Sequence, residues 1–311
     1  MKHPGGVLKI ISSSILLLSA LLHGNDPLGF LYAMEPVLGF LAWDAYSGAA
    51  RFILCLFIGF EGFTAITWIM GKTNKLMILW NVVLWVLGLA LATLSFINLL
   101  ESSPLSILYL SLLLLASVVG IANGVSLWRN SETISNTAHL KHRLGLLLLF
   151  AVSTVWPFYT LNTQPWVNPC AWKQGQKIEN AFAETANVQI LDSDGMNLLP
   201  ELIKQREAQL WIIVPHLASS HAELFNRVNS LAVEAEHNGI KVIGIAEGTP
   251  AVLEDFRHEL QTPFPFYAVP SSFMRNYTRS NPTVVFITKR GVLHFWPASS
   301  LPVWSDLQAM K

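Results

Sequence analysis

The chain reads as two unlike halves: an α-helical membrane bundle of five transmembrane helices, followed by an α/β domain. Three observations carry this expectation. First, 52% of the 311 residues are hydrophobic and only 13% are charged, against about 25% charged in an ordinary soluble domain. Second, the charge is unevenly spread, with 14 charged side chains in residues 1–162 and 26 in residues 163–311. Third, long apolar runs give way after about residue 187 to short apolar segments that alternate with helically spaced ones. The expected division is a membrane domain at 1–162, an extracytoplasmic linker at 163–186 and an α/β domain at 187–311.

A membrane span needs roughly 20 mostly apolar helical residues. Leu8–His23 is short for this, and Phe52–Met70 is interrupted by Glu61. Leu76–Leu99, Leu105–Trp128 and Leu144–Thr160 are long and clean. Leu28–Tyr46 is apolar but broken by Glu35, Pro36 and Asp44, so it is expected to lie at the interface or re-enter it. Leu8–His23 also has the basic start and short apolar core of a signal peptide. No small-x-small cleavage site follows it, and an uncleaved first span is the expectation.

The connector Trp156–Phe182 carries Pro157, Pro165 and Pro169, which favour extended chain. Trp166 and Trp172 are candidates for the membrane interface. Beyond it, Val188–Leu191 is a strand candidate and Asp192-Ser193-Asp194-Gly195 a turn. Leu198–Gln205 fits a short helix and Gln209–Val214 an apolar strand. Ala222–His237 has Leu224, Phe225, Val228, Leu231 and Ala232 at helical spacing, stopped by Asn238-Gly239. Lys241–Ala246 is a strand, and Pro250–Leu260 a helix capped by Thr249. Phe264–Val269 is extended. Thr283–Thr288 and Val292–Trp296 form a hairpin around Lys289-Arg290-Gly291. Strand–helix alternation ending in a hairpin points to a mixed sheet covered by helices.

Lysine and arginine near the span ends set orientation. Lys2, Lys9, Lys72, Lys75, Arg129, Lys141 and Arg143 fall on one side of a five-span bundle. The other side carries Asp26, Glu35, Asp44 and Glu101, with Arg51. The basic side is the cytoplasm, which puts the C-terminal domain on the extracytoplasmic side of a bacterial inner membrane. A net charge of zero without a basic run gives no support for nucleic-acid binding. Cys55 and Cys170 are too few for a disulfide scaffold or a multi-cysteine zinc site. Both are expected on the outer side, where they are a candidate disulfide or redox couple. Unrelated buried and linker cysteines are the alternative.

Ser19–Leu38 (SALLHGNDPLGFLYAMEPVL) followed by Phe57–Gly71 (FIGFEGFTAITWIMG) resembles the DoxX-like family of small helical membrane proteins. The matching features are Asp26-Pro27-Leu28-Gly29 and Glu61-Gly62, and the resemblance covers about residues 8–162. Ala20 and His23 replace the Gly and Lys often found in that family at the end of the first span. The cysteine-rich loop of some related proteins is missing from Arg129–His142. Glu61 stands near mid-span, where a carboxyl group is costly and faces a bundle interior or a wet cavity. It is a candidate proton relay or polar anchor for a quinone-like ligand. Otherwise it is a protonated side chain bonded to another span, with Asn81 or Asn123 as partner. Trp68, Trp80 and Trp85 read as packing and interface residues.

The order DSDG, strand–turn–helix, KVIGIAEG, FPFY and NPTVVFITKRGVLHFW resembles the thioredoxin fold over about Asn187–Trp296, in its membrane-tethered TlpA/peroxiredoxin-type branch. In that family a Cys-x-x-Cys at the first strand–helix junction supplies a thiolate activated by the helix N-terminus. Here the turn reads Leu217, Ala218, Ser219, Ser220, His221, without sulfur, so thiol–disulfide exchange is not expected. Pro282, after Asn281, fills the slot of the family's usually cis proline. The resemblance implies a groove between these segments that takes extended peptide by strand-like hydrogen bonding. No catalytic or metal-binding residue is assigned: His216 and His221 lack further ligands, and Asp192 and Asp194 read as turn residues. Ser219 and Ser220 lack a framed base.

The expected function is an accessory or assembly protein of the membrane. It would recruit an extracytoplasmic or membrane protein partner through a redox-inactive thioredoxin-like domain, without a cofactor. Two alternatives stay open: a quinone-linked oxidoreductase subunit using Glu61 and Cys55/Cys170, and a small-molecule transporter.

Overall fold

The computed structural model describes residues 4–39, 42–43, 45–69, 75–97, 104–130, 140–163, 165, 167–168, 170–182, 188–205 and 207–310. Lys2, Asp44, Lys72, Glu101, Trp166 and Pro169 lie outside these residues, as do the side chains of Trp80 and Asn123. The chain divides into two compact units: residues 1–161 with 165–167, and residues 162–164 with 168–311.

The first unit is helical. Its elements are α1 (Pro4–Asn25), α2 (Pro27–Leu38), α3 (Gly48–Ile69), α4 (Lys75–Ile97), α5 (Pro104–Asn130) and α6 (Leu140–Asn162). Each of the five apolar runs falls on a helix of 22 to 27 residues. Among the described residues, α3 is long and apolar enough to cross a membrane, while α1, α4, α5 and α6 contain shorter apolar stretches. Ile10, Phe52, Leu79, Val86, Leu115, Leu148 and Val155 stand about half exposed or more on the outside of this unit.

Two elements stand out against the sequence. Helix α2, expected to lie at the interface or to re-enter it, is enclosed by its neighbours. Leu28, Phe30, Leu31, Ala33 and Met34 are all buried, and the helix packs on α3, α4 and α5. Its polar start explains how it enters: Asp26 caps it by accepting from Gly29 N–H at 3.0 Å, and Pro27 needs no N–H partner there. The second difference is Pro157, which sits inside α6 instead of ending it. Proline removes one helical hydrogen bond. Here the Thr160 hydroxyl donates to the Pro157 carbonyl and to the Gly24 carbonyl of α1, tying the turn after the proline across the bundle.

The second unit has a five-stranded sheet in the order β3-β2-β1-β4-β5. The strands are β1 (Gln209–Val214), β2 (Lys241–Ala246), β3 (Phe266–Ala268), β4 (Thr283–Ile287) and β5 (Leu293–Pro297). β1, β2 and β3 run parallel, while β4 is antiparallel to both β1 and β5. The two parallel steps are crossed by α9 (Ala222–His237) and α10 (Pro250–Glu259). The β4–β5 hairpin turns at Gly291, whose φ of 72° is a conformation glycine adopts without strain.

Helices cover both faces of this sheet, so its central strands read as unbroken apolar runs. Leu210, Ile212 and Val214 of β1 pack with Phe225, Val228 and Leu253 on one face. Trp211 and Ile213 pack with Trp172, Phe182 and Phe273 on the other. Trp172 is therefore a core residue of this unit and not a membrane-interface anchor. Ile178 and Phe182, from α7 (Ile178–Phe182), join it, so much of the expected linker is folded into the domain. Val188–Leu191 forms only isolated bridges at Leu191. Three further helices complete the unit: α8 (Leu199–Lys204), α11 (Ser271–Tyr277) and α12 (Trp304–Met310). The last two fall on segments for which the sequence reading assigned no element.

Candidate functional site

The helical unit encloses a polar cluster at the junction of α1, α2, α3 and α5. Ser19 and His23 lie one turn apart on α1, and both face Glu61 of α3. His23 Nδ1 is 2.9 Å from Glu61 Oε2, and the Ser19 hydroxyl donates to Glu61 Oε1 at 3.0 Å. His23 Nε2 lies 3.3 Å from the Tyr109 carbonyl on α5. The Tyr109 hydroxyl donates to Asp26 Oδ2 at 2.8 Å. Ser19, His23, Asp26 and Glu61 are each 0% exposed. Phe30 of α2 stacks on the imidazole, with ring centroids 4.0 Å apart and planes within 5°.

Donor–acceptor accounting fixes much of the chemistry. A carbonyl oxygen only accepts, so His23 Nε2 carries a hydrogen toward Tyr109. The remaining ring nitrogen and the carboxylate oxygen face each other at 2.9 Å. That contact requires one proton between them. The pair is then net neutral wherever the proton rests, as acid and imidazole or as carboxylate and imidazolium. Two uncompensated charges here would be far more costly in so dry a setting. The arrangement is thus built to hold one transferable proton inside an apolar bundle.

Glu61 is thereby brought together with His23, a residue that stood out in the sequence only as a departure from a family pattern. Of the two amides expected as partners, Asn81 accepts from Thr64 at 2.9 Å, and the Asn123 side chain lies outside the described residues. Ser19 and Tyr109 carried no signal of their own, being an ordinary serine and an ordinary aromatic in apolar runs. Trp68 and Trp85 are buried packing residues.

Beside the cluster lies a cavity of about 380 Å³. Phe30, Met34, Leu54, Phe57, Leu91 and Leu113 are among its walls, and every other lining side chain is apolar too. Phe30 belongs to both places, with one face against His23. Ile53 and Leu87, each about half exposed, border the cavity and open it to the outer surface of the unit. Such walls offer nothing to a polar group and suit an apolar occupant.

In the sheet unit, the turn after β1 and the segment before β4 are adjacent. The Asn281–Pro282 peptide is cis. The Asn281 amide donates to the His216 carbonyl and to Ser219 Oγ, both at 2.8 Å. Ser219 and Ser220 also donate to the His216 carbonyl at 3.3 Å. Pro282 is buried, Leu217 packs partly on the core, and Ala218 and His221 are exposed. The Asn281 side chain therefore bridges the two walls, and the exposed face left to a partner is narrow. Asp192 is a turn residue, its Oδ1 accepting from the Asp194 and Met196 amides.

Cys55 and Cys170 are both buried, one in each unit, and are not joined to each other. No protein family, characterised protein or solved structure matches this chain.

Proposed function

We propose that this is a multi-pass protein of the bacterial inner membrane whose five-span helical unit holds a quinone-class ligand beside the His23–Glu61 pair. The observation that carries the reading is the buried 2.9 Å contact between His23 and Glu61, with its single shared proton, beside an apolar cavity. A quinone head is neutral, which suits a place beside a pair that is itself net neutral and holds one mobile proton. The apolar outer surface of the helices supports burial of this unit in lipid. Glu61 takes the place of the polar anchor, and the cysteines take no part.

The sheet unit is the partner-binding half of the proposal, thioredoxin-like and extracytoplasmic. What supports it is the strand order, together with the Leu217–His221 turn joined to Asn281 without a thiol. Together the halves form an accessory protein that positions an extracytoplasmic or membrane partner beside a quinone site. The test is extraction of protein purified in mild detergent, with quinone quantified by mass spectrometry. Stoichiometric quinone in the native protein, and its loss in Glu61→Gln, is the expected result. Native protein that stays quinone-free after reconstitution with excess quinone would sink the reading.

A further inference from the structure

We propose that the cavity bounded by Phe30, Met34, Leu54, Phe57, Leu91 and Leu113 is the binding site for the hydrocarbon chain of the same neutral-headed ligand, entered sideways from the bilayer between Ile53 and Leu87. The proposal rests on the reading of His23–Glu61 as the head site and adds where the rest of the molecule lies. Three observations carry it. The lining is wholly apolar, so it offers nothing to a charged or sugar-like group. Its volume of about 380 Å³ falls in the range of small-ligand sites. Its wall at Phe30 is also the ring stacked on His23, so a chain seated here puts its head one ring's thickness from the proton-sharing pair. The mouth opens among exposed apolar side chains, which suits a ligand already dissolved in lipid.

The experiment uses the full chain in phosphatidylcholine nanodiscs and a benzoquinone bearing an alkyl chain tipped with a photoreactive diazirine. The expected result is crosslinking concentrated on the α2 and α3 linings, at Phe30–Leu38 and Ala50–Phe60. Excess unlabelled alkyl benzoquinone should abolish it. Ala50→Trp, which fills the cavity from a buried position, should abolish it too. If Ala50→Trp yields no folded protein, Leu91→Trp fills the space from α4. Equal labelling of the outer faces at Leu79, Val86 and Leu115 would overturn the proposal. A probe of the same chain ending in a methyl group separates the two readings. If it labels the cavity as strongly as the quinone probe, the chain site stands and the head reading at His23–Glu61 falls.

Discussion

Proton accounting at His23 and Glu61 separates two kinds of substitution. In Glu61→Gln the amide oxygen still accepts from Ser19 and the amide nitrogen donates to His23 Nδ1, so every hydrogen bond has a replacement. What is lost is the transferable proton. Stability should change by less than about 1 kcal/mol, within the ordinary worth of a hydrogen bond, while quinone retention fails. Glu61→Leu instead removes the carboxyl and leaves His23 Nδ1 and the Ser19 hydroxyl, 3.3 Å apart, with only each other, at a cost of roughly 1–3 kcal/mol. Denaturant unfolding in detergent compares the two, and equal destabilisation would contradict the proton-sharing geometry. In the sheet unit, burial on β5 lowers the His294 pKa below its ordinary value. A histidine held neutral in the fold stabilises it fully above the unfolded value. That contribution is lost as pH falls through the folded one. Unfolding midpoints should thus decline on acidification below about pH 6.5, and His294→Gln should flatten that slope. Glu61 was legible because a carboxyl group in an apolar run is conspicuous. His23, Ser19 and Tyr109 were not, because spacing within one helix says nothing about which residues of another helix face it.

At the scale of elements, close helix approach rests on glycine. A Cβ at Gly120 on α5 would lie 2.6 Å from the Trp85 ring on α4, and that ring is only 1% exposed. Gly120→Ala therefore forces a fixed indole to move, with an expected cost of roughly 1–3 kcal/mol as overpacking. Gly145 on α6 has nothing near its Cβ direction. Gly145→Ala should be neutral or stabilising by up to about 1 kcal/mol, the difference in helix propensity. Thermal melts of the two variants check the pair, and a similar loss in both would argue against the α4–α5 contact. The sequence placed β1, α9 and β2 at their observed bounds, because apolar runs and a helical stripe leave little choice of period. It left open the elements whose fate depends on neighbours. Pro157 sits inside a helix whose next turn Thr160 ties to Gly24 of another helix. α2 is buried because α3, α4 and α5 close over it. α11 is too short for its periodicity to show.

For the whole molecule, the distribution of charge and the distribution of exposed apolar side chains point the same way. The helical unit is sparse in charge and apolar outside, whereas few large apolar side chains of the sheet unit are exposed, Met196, Val252 and Val303 among them. This contrast suits a lipid environment for one unit and water for the other. On the proposed five-span reading, sidedness is set by the basic residues at the helix ends. Five spans and a cytoplasmic N-terminus would leave the sheet unit outside. Both native thiols are buried, and replacing them by alanine leaves a background for single reporter thiols. A membrane-impermeant maleimide added to intact spheroplasts should label Lys289→Cys, an exposed position in the β4–β5 turn. Arg143→Cys, at the start of α6, should label only after the membrane is permeabilised. The opposite pattern would place the sheet unit in the cytoplasm, and with it any partner at Leu217–His221. Labelling of both sites in intact spheroplasts would mean an even number of spans, with one apolar helix packed inside the bundle instead of crossing it.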